Sequence, residues 1–277
     1  MESKGLELTL GSNIINETDY GFRTQLTGAY NKGKITELRN DPDIWALVGP
    51  DGGALQGYPY RGLFSINFQG LDPENGTPQF INEDGETSTD VYLQSNKIQH
   101  LKYEGSVDPI VTGGWFNSFR YKNFSLSALV TFSAGNVIRL NPAFKSSYTD
   151  LDATPQEFLN RWVLSGDENQ TNIPSILDRV EVSQLTGYPY NNYNYSTARV
   201  ADGDFARLKQ ATFTYNLPAA RLSSLGFNTL SVSVVANNIW LIYSDDKLNG
   251  QDPEFFGAGG VATPIPRQFT LSLKAGF

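Results

Sequence analysis

The chain contains no cysteine among its 277 residues, which excludes a disulfide framework, a thiolate nucleophile and any cysteine-held metal or cluster. No run of about 18 apolar residues is present, and the mean hydropathy is −0.34, so a transmembrane helix is excluded. A membrane role would have to use strands. Positive charge is scarce: 21 Lys and Arg face 29 Asp and Glu, and the net charge of −8 argues against a nucleic-acid partner, which needs a basic face. Histidine occurs once, at His100, so no histidine pair is available for metal or proton relay, and a solvated loop residue is expected there. Met1 to Leu10 show no basic stretch followed by an apolar core, so no signal peptide is read there, and an exported protein would have to be a fragment or a processed chain.

What the chain has is aromatic residues and alternation. Aromatics reach 13% while charged residues reach only 18%, against roughly 25% in ordinary soluble domains. From Arg267 to Phe277 the residues Phe269, Leu271, Leu273, Ala275 and Phe277 share one face, and Gln268, Thr270, Ser272, Lys274 and Gly276 share the other. The same alternation runs through Ala211–Leu217, Leu230–Trp240, Phe124–Ala134 and Val111–Tyr121, and near the start through Leu6, Leu8 and Leu10 and then Tyr20, Phe22, Leu26 and Tyr30. A half-buried strand of any sheet looks like this. The length of these segments, about ten residues, suits a tilted strand that crosses a bilayer better than the five or six usual in soluble sheets.

The connections alternate in length, which is the pattern of short periplasmic turns and long extracellular loops. Asn16–Asp19, Lys122–Asn123 and Pro218–Phe227 are short, whereas Ile35–Pro109, Ile138–Ala201 and Ser244–Pro266 are long. Counting a further strand or two within Gly57–Gln69, seven to nine strands are expected. Tyr20, Tyr30, Tyr121, Phe124, Trp240 and Tyr243 fall near strand ends, as interfacial girdles would. Thr154 and Glu157 around Pro155 read as a capping box, which predicts a short helix from Pro155 to Leu164.

No sequence motif points to catalysis or a cofactor. Asp72, Asn75 and Asp84, and likewise Asp245, Asp246 and Asp252, lack calcium-loop spacing and read as Asx turns, so no metal is expected. The carboxylate pairs Asp167/Glu168 and Glu83/Glu86 fall in loops with nothing to set the separation a glycosidase needs. The run Tyr188-Pro189-Tyr190-Asn191-Asn192-Tyr193-Asn194-Tyr195 is the strongest ligand candidate, because tyrosine rings stack and asparagine both donates and accepts. Equally, Tyr188, Tyr190, Tyr193 and Tyr195 could pack the loop on itself or touch a partner protein.

An ordered series of segments resembles the C-terminal part of the SusC/RagA-type TonB-dependent transporters of Bacteroidetes. It begins with Lys4-Gly5-Leu6-Glu7-Leu8, and continues through Gly70-Leu71-Asp72-Pro73-Glu74-Asn75-Gly76, Gly105-Ser106-Val107-Asp108-Pro109, and Arg161-Trp162 before Ile173-Pro174. Asp204-Phe205-Ala206-Arg207-Leu208-Lys209, Ala236-Asn237-Asn238-Ile239-Trp240, the triplet Asp252-Pro253-Glu254 and Pro266-Arg267-Gln268-Phe269-Thr270 complete it. The resemblance implies an all-β fold, the C-terminal portion of a 22-stranded antiparallel barrel in the cell outer membrane, non-enzymatic and without a cofactor. It implies import of oligosaccharides or peptides with a SusD-like lipoprotein, and coupling to TonB through a plug region with no counterpart here. Gln268, Thr270, Ser272, Lys274, Ser231, Ser233 and Asn237 would line the conduit, and Phe277 would be the signal read by the barrel-assembly machinery. The competing reading is a self-contained soluble β-sandwich whose apolar faces turn inward.

Overall fold

The computed structural model describes residues 1–218, 222, 227–256 and 266–276. Strands β1 (Glu2–Asn16) and β2 (Tyr20–Lys34) open the chain as a hairpin. Residues 35–110 then carry helix α1 (Ile44–Val48) and the short strands β3 (Gly62–Ser65), β4 (Phe68–Leu71), β5 (Pro78–Ile81), β6 (Thr87–Ser88) and β7 (Lys102–Ser106). A second hairpin, β8 (Val111–Tyr121) and β9 (Phe124–Ala134), leads to a segment holding β10 (Val137–Arg139), α2 (Arg179–Gln184), α3 (Pro189–Asn194) and β11 (Val200–Asp202). The chain continues through β12 (Phe205–Asn216), β13 (Thr229–Tyr243) and β14 (Gln268–Gly276).

Among the described residues, one seven-stranded antiparallel sheet, ordered β1-β2-β8-β9-β12-β13-β14, forms a wall in which each long strand pairs with the next. The register lines up one kind of side chain across it. Phe22, Phe119, Leu126, Phe213, Val234 and Leu271 stand in one row, and Tyr20, Tyr121, Phe124 and Tyr215 stand in the next, towards the short turns. Phe124 and Tyr215 stack at 4.7 Å. This face is bare: Leu6 is 69% and Leu271 74% exposed. An apolar face with nothing packed on it contradicts the inward-turned sandwich and fits a wall that lipid covers.

The height of the band agrees. Tyr20 and Tyr30 lie ten residues apart on β2, roughly 34 Å along a strand, and a tilt of about 40° reduces this to roughly 26 Å, close to the apolar band of membrane barrels. Polar groups on this face are satisfied locally, as lipid requires. Trp115 Nε1 donates to Thr24 Oγ1 at 2.9 Å, and that hydroxyl donates to Asn117 Oδ1 at 2.9 Å. Gly113 lies under the ring of Phe132, where a Cβ would come within 2.4 Å of Cζ. The ring thereby covers backbone that a glycine would otherwise leave open.

The long connections do not sprawl. They build a body with its own core, in which Ile44, Val48, Ile66, Phe80, Val91, Leu93, Phe144 and Tyr193 are buried together. Segments far apart in sequence knit it: Ile66 N donates to Tyr195 O at 3.1 Å, and Trp162 N to Ile173 O at 2.9 Å. Gly76 holds φ +69° under Trp162, and a Cβ there would come within 2.5 Å of the indole. The seven described strands of the wall fall within the seven to nine expected, while the strands allowed for within Gly57–Gln69 exist as β3 and β4 but belong to this body. The helix expected from Pro155 to Leu164 is a 3-10 turn over Gln156–Asn160 with no side-chain cap, because Pro155, which has no side-chain acceptor, holds the cap position, and Glu157 pairs with Arg199 at 2.6 Å. A capping box does form, at Asp178 and Glu181, and it opens α2.

Candidate functional site

The face opposite the apolar band is polar and continuous. Arg120, Ser125, Thr214, Ser233 and Ser272 form one row across it. Ser231 pairs with Lys274, Ser233 with Ser272, and Asn237 with Gln268, and Thr270 lies opposite Val235, so the residues expected to line a conduit share one surface. Thr214 Oγ1 and Ser233 Oγ are 2.9 Å apart, and Gln210 Nε2 donates to Asn237 Oδ1 at 3.0 Å. At the short-turn end Arg120 donates to the carbonyls of Thr18 and Glu17 at 2.8 and 2.7 Å, and so fixes the β1–β2 turn from this face.

The loop body folds over the polar face at the other end. Lys209 shares the side of Arg207 by strand alternation, and a bulge in β12 between Leu208 and Gln210 brings Gln210 to the same side. Arg207, buried, pairs with the buried carboxylate of Asp252 and lies 3.4 Å from Glu254, whose other oxygen is 3.5 Å from Lys209 Nζ. Two segments recognised separately in the sequence, Arg207 with its neighbours and Asp252-Pro253-Glu254, therefore meet as one ion cluster that clamps the β13–β14 connection to the wall. Beside it opens a cavity of about 630 Å³. Its walls come from both parts: Thr131 and Ser133 from the sheet, Arg61 and Asp108 from the loop body, and Lys209 and Glu254 from the clamp. Arg61 Nη1 and Asp108 Oδ1 are 2.6 Å apart.

Sequence reasoning missed the cation at the heart of the loop body. Arg139 is 3% exposed and donates to the carbonyls of Val48 (3.2 Å), Ser196 (2.6 Å) and Phe64 (2.7 Å) and to Ser65 Oγ (3.0 Å). Burial lowers its pKa to about 9, which leaves it charged at neutral pH. Arg199, also buried, pairs with Glu157 and stacks over Phe144 at 4.8 Å. The only signal available was an arginine inside a short β-rich run, with nothing to show what it would touch.

The tyrosine run divides. Pro189 opens α3, and Tyr190 and Tyr193 turn into the core, 4% and 1% exposed. Tyr190 Oη donates to Ser175 O at 2.9 Å, and burial raises its pKa to about 12. Tyr195 packs edge-on against Trp45 at 5.1 Å. Asn192 and Asn194 donate to the carbonyls of Val91 and Phe144. The four tyrosines do not share a surface: Tyr190 and Tyr193 pack the loop on itself, and only Tyr188 is freely exposed, at 75%. Phe277 lies outside the described residues.

Of the carboxylate pairs, Asp167/Glu168 serves the backbone, whereas Glu83 pairs with Lys97 Nζ at 3.1 Å. Asp167 Oδ2 accepts from Leu164 N and Val163 N, which holds its pKa down. Glu168 is held down chiefly by backbone hydrogen bonds, with Gly166 N at 2.8 Å. A catalytic acid needs the opposite shift. Asn75 and Asn82 accept from the backbone of Thr77 and of Asp84 and Glu86, as Asx turns do.

His100 is less solvated than expected. Both ring nitrogens are buried without a hydrogen-bond partner, and burial pushes its pKa below 6.5 against the pull of Glu83. The unfolded chain then binds the proton more readily than the folded one. Stability from this site is complete above pH 6.5 and is lost as pH falls through the lower folded pKa. Protection of the amides around residues 98–103, corrected for the intrinsic exchange rate at each pH, is expected to weaken between pH 7.5 and 5.5 in the wild type and not in His100→Phe; equal weakening in both would refute this.

No family model matches the chain. Among curated proteins, TonB-dependent receptor P3 of Formosa agariphila is 27% identical over 275 residues, covering 92% of this chain and 25% of its own length. TonB-dependent receptor P26 of the same organism is 26% identical over 308 residues, covering 100% of this chain and 29% of its own length. The chain thus spans well under a third of the curated relatives it matches. Among solved structures, the RagAB peptide importer in its open-open state superposes with a TM-score of 0.73 at 22% identity, over 99% of this chain and 28% of that one. The RagAB peptide transporter gives 0.74 at 21% identity, over 99% and 29%. Over nearly its whole length the chain is thus similar in sequence to part of two TonB-dependent receptors, and it shares the fold of the corresponding portion of the RagAB structures.

Proposed function

We propose that the chain supplies one side of the wall and the surface loops of an outer-membrane importer that takes up oligosaccharides or peptides, energised through TonB, with a SusD-like lipoprotein over its loop side. The observation that carries this is the two-faced wall: an apolar band of bilayer height on one face and, on the other, a polar surface that the loop body partly roofs. The polar face lines the conduit, and the cavity beside Lys209 and Glu254 lies where cargo would enter it. Exposed Tyr188 is available to cargo or to the lipoprotein. No step needs a catalytic residue or cofactor.

The edges β1 and β14 have no partner beyond them among the described residues. Unpaired backbone is costly in lipid, so further strands of the full-length protein complete the barrel around a plug. Phe277 serves as the signal to the assembly machinery. The test is uptake of labelled oligosaccharides and peptides by cells carrying the full-length receptor, with and without TonB. Import of at least one class is expected to vanish without TonB; import that persists unchanged overturns the reading.

A further inference from the structure

We propose that the outer face of the β1–β2 hairpin carries a binding site for the phosphorylated headgroup of a membrane lipid, formed by Lys4, Lys32 and Lys34. The inference rests on the membrane-wall reading and goes beyond the transport role. Side chains alternate along a strand, so Lys4 on β1 and Lys32 and Lys34 on β2 share the face of Leu6 and Tyr30. Leu6 pairs with Tyr30, Lys4 with Lys32, and Glu2 with Lys34. The face therefore changes within two residues from the top row of the apolar band to a basic cluster. Two residues are roughly 7 Å along a strand, or roughly 5 Å of height at a tilt of about 40°. That step spans the headgroup zone, which adds about 5–7 Å to each side of the hydrocarbon.

The charges are poorly balanced within the protein. Glu2 lies 2.8 Å from Lys4 and 4.0 Å from Lys34, so one carboxylate is shared by two ammonium groups. Lys32 forms no ion pair among the described residues, although it stands directly across from Lys4. Like charges directly opposite across a strand pair destabilise it, and an anion between them would reverse that sign. The excess of positive charge sits on a chain whose net charge is −8. Lysine ammonium groups are compact donors suited to phosphate, and their stems can lie along apolar surface while the charge reaches the interface. The occupant is a lipid rather than free phosphate because the cluster continues downward into Leu6, Tyr30 and Leu8, against which acyl chains would lie.

The test uses the full-length receptor in detergent, titrated with diphosphorylated lipid A and read by native mass spectrometry. A basic residue near an anionic lipid surface is worth roughly fivefold in affinity. Lys32→Gln should weaken binding about fivefold, and the triple Lys4→Gln, Lys32→Gln, Lys34→Gln variant on the order of 100-fold. The triple Lys→Arg variant should keep the affinity, and Glu2→Gln should raise it. Equal binding by the triple Gln variant, equal binding of dephosphorylated lipid A, or displacement by inorganic phosphate at matching concentration overturns the proposal. TonB-dependent uptake reads out separately, so failure here leaves the importer reading intact, and failure of that reading appears in uptake alone.

Discussion

Arg207→Met is expected to release the β13–β14 connection from the wall and destabilise that junction by about 3–5 kcal/mol, the range for removing one partner of a buried ion pair. The reason is what remains. Asp252, buried with Arg207, would be left with no cation against it and with Glu254 close by. Lys209 is too far out to compensate, since it reaches only Glu254, at 3.5 Å, from the more exposed side. The complementary change Asp252→Asn should have a comparable effect, and the double variant should be clearly less damaged than the sum of the two singles, because the charge left stranded in each single is absent. Hydrogen exchange over residues 245–256 of the full-length receptor would show it. Additive effects each below about 1 kcal/mol would mean that the pair behaves like a surface salt bridge.

The second large effect is expected at Arg139. Met has no donors, so Arg139→Met would strip the guanidinium's bonds from the buried carbonyls of Val48, Phe64 and Ser196, of which Ser196 O keeps the bond from Arg199 N at 3.0 Å. At about 1–3 kcal/mol for each of the two carbonyls of Val48 and Phe64, the loop body should lose roughly 2–6 kcal/mol. Arg139→Lys should recover only part of this, because one ammonium cannot reproduce the fork that spans separate segments. The wall is held by its ladder of strand pairs and not by the core of the body, so the damage is confined: residues 40–100 and 140–200 should become open to protease while the strands of the wall stay protected. Unchanged protection of those loops in Arg139→Met would show that the guanidinium is incidental to their packing.

The wall was legible because each of its strands is long and one-sided. Phe124–Ala134 and Val111–Tyr121 could be bounded to the residue by alternation and turn residues alone. The rows that the register creates follow directly, since one fixed register brings Ser233 to Ser272 once their faces are known. The loop body was illegible for the opposite reason. Its contacts join residues such as Ile66 and Tyr195, or Arg139 and Phe64, and nothing local marks one as the partner of the other. The tyrosine run shows how this misleads. Tyr and Asn at high density suit ligand recognition, and they equally suit a small core short of aliphatic residues, whose polar atoms Ser175, Val91 and Phe144 then satisfy. Thr154 and Glu157 carried a capping signal, but the turn begins one residue later, with Pro155 in the cap position and Glu157 paired with Arg199.

The two kinds of connection also set an order of events in assembly. At one end, the two-residue turn at Lys122 and Asn123 lets β8 and β9 zip as neighbours, and β1 and β2 do the same. Between the hairpins, β2 cannot find β8 until the ends of residues 35–110 have met, nor β9 find β12 until those of residues 135–204 have. Closing loops of that length is slow search rather than large free energy, since its entropy grows only with the logarithm of length. A connection that collapses on its own core shortens the search. The bonds from Asn31 N to Ile110 O and from Val107 N to Arg61 O show the body drawing the end of β2 and the start of β8 together. The surface loops thereby act as the jig on which the hairpins of the wall are brought into register.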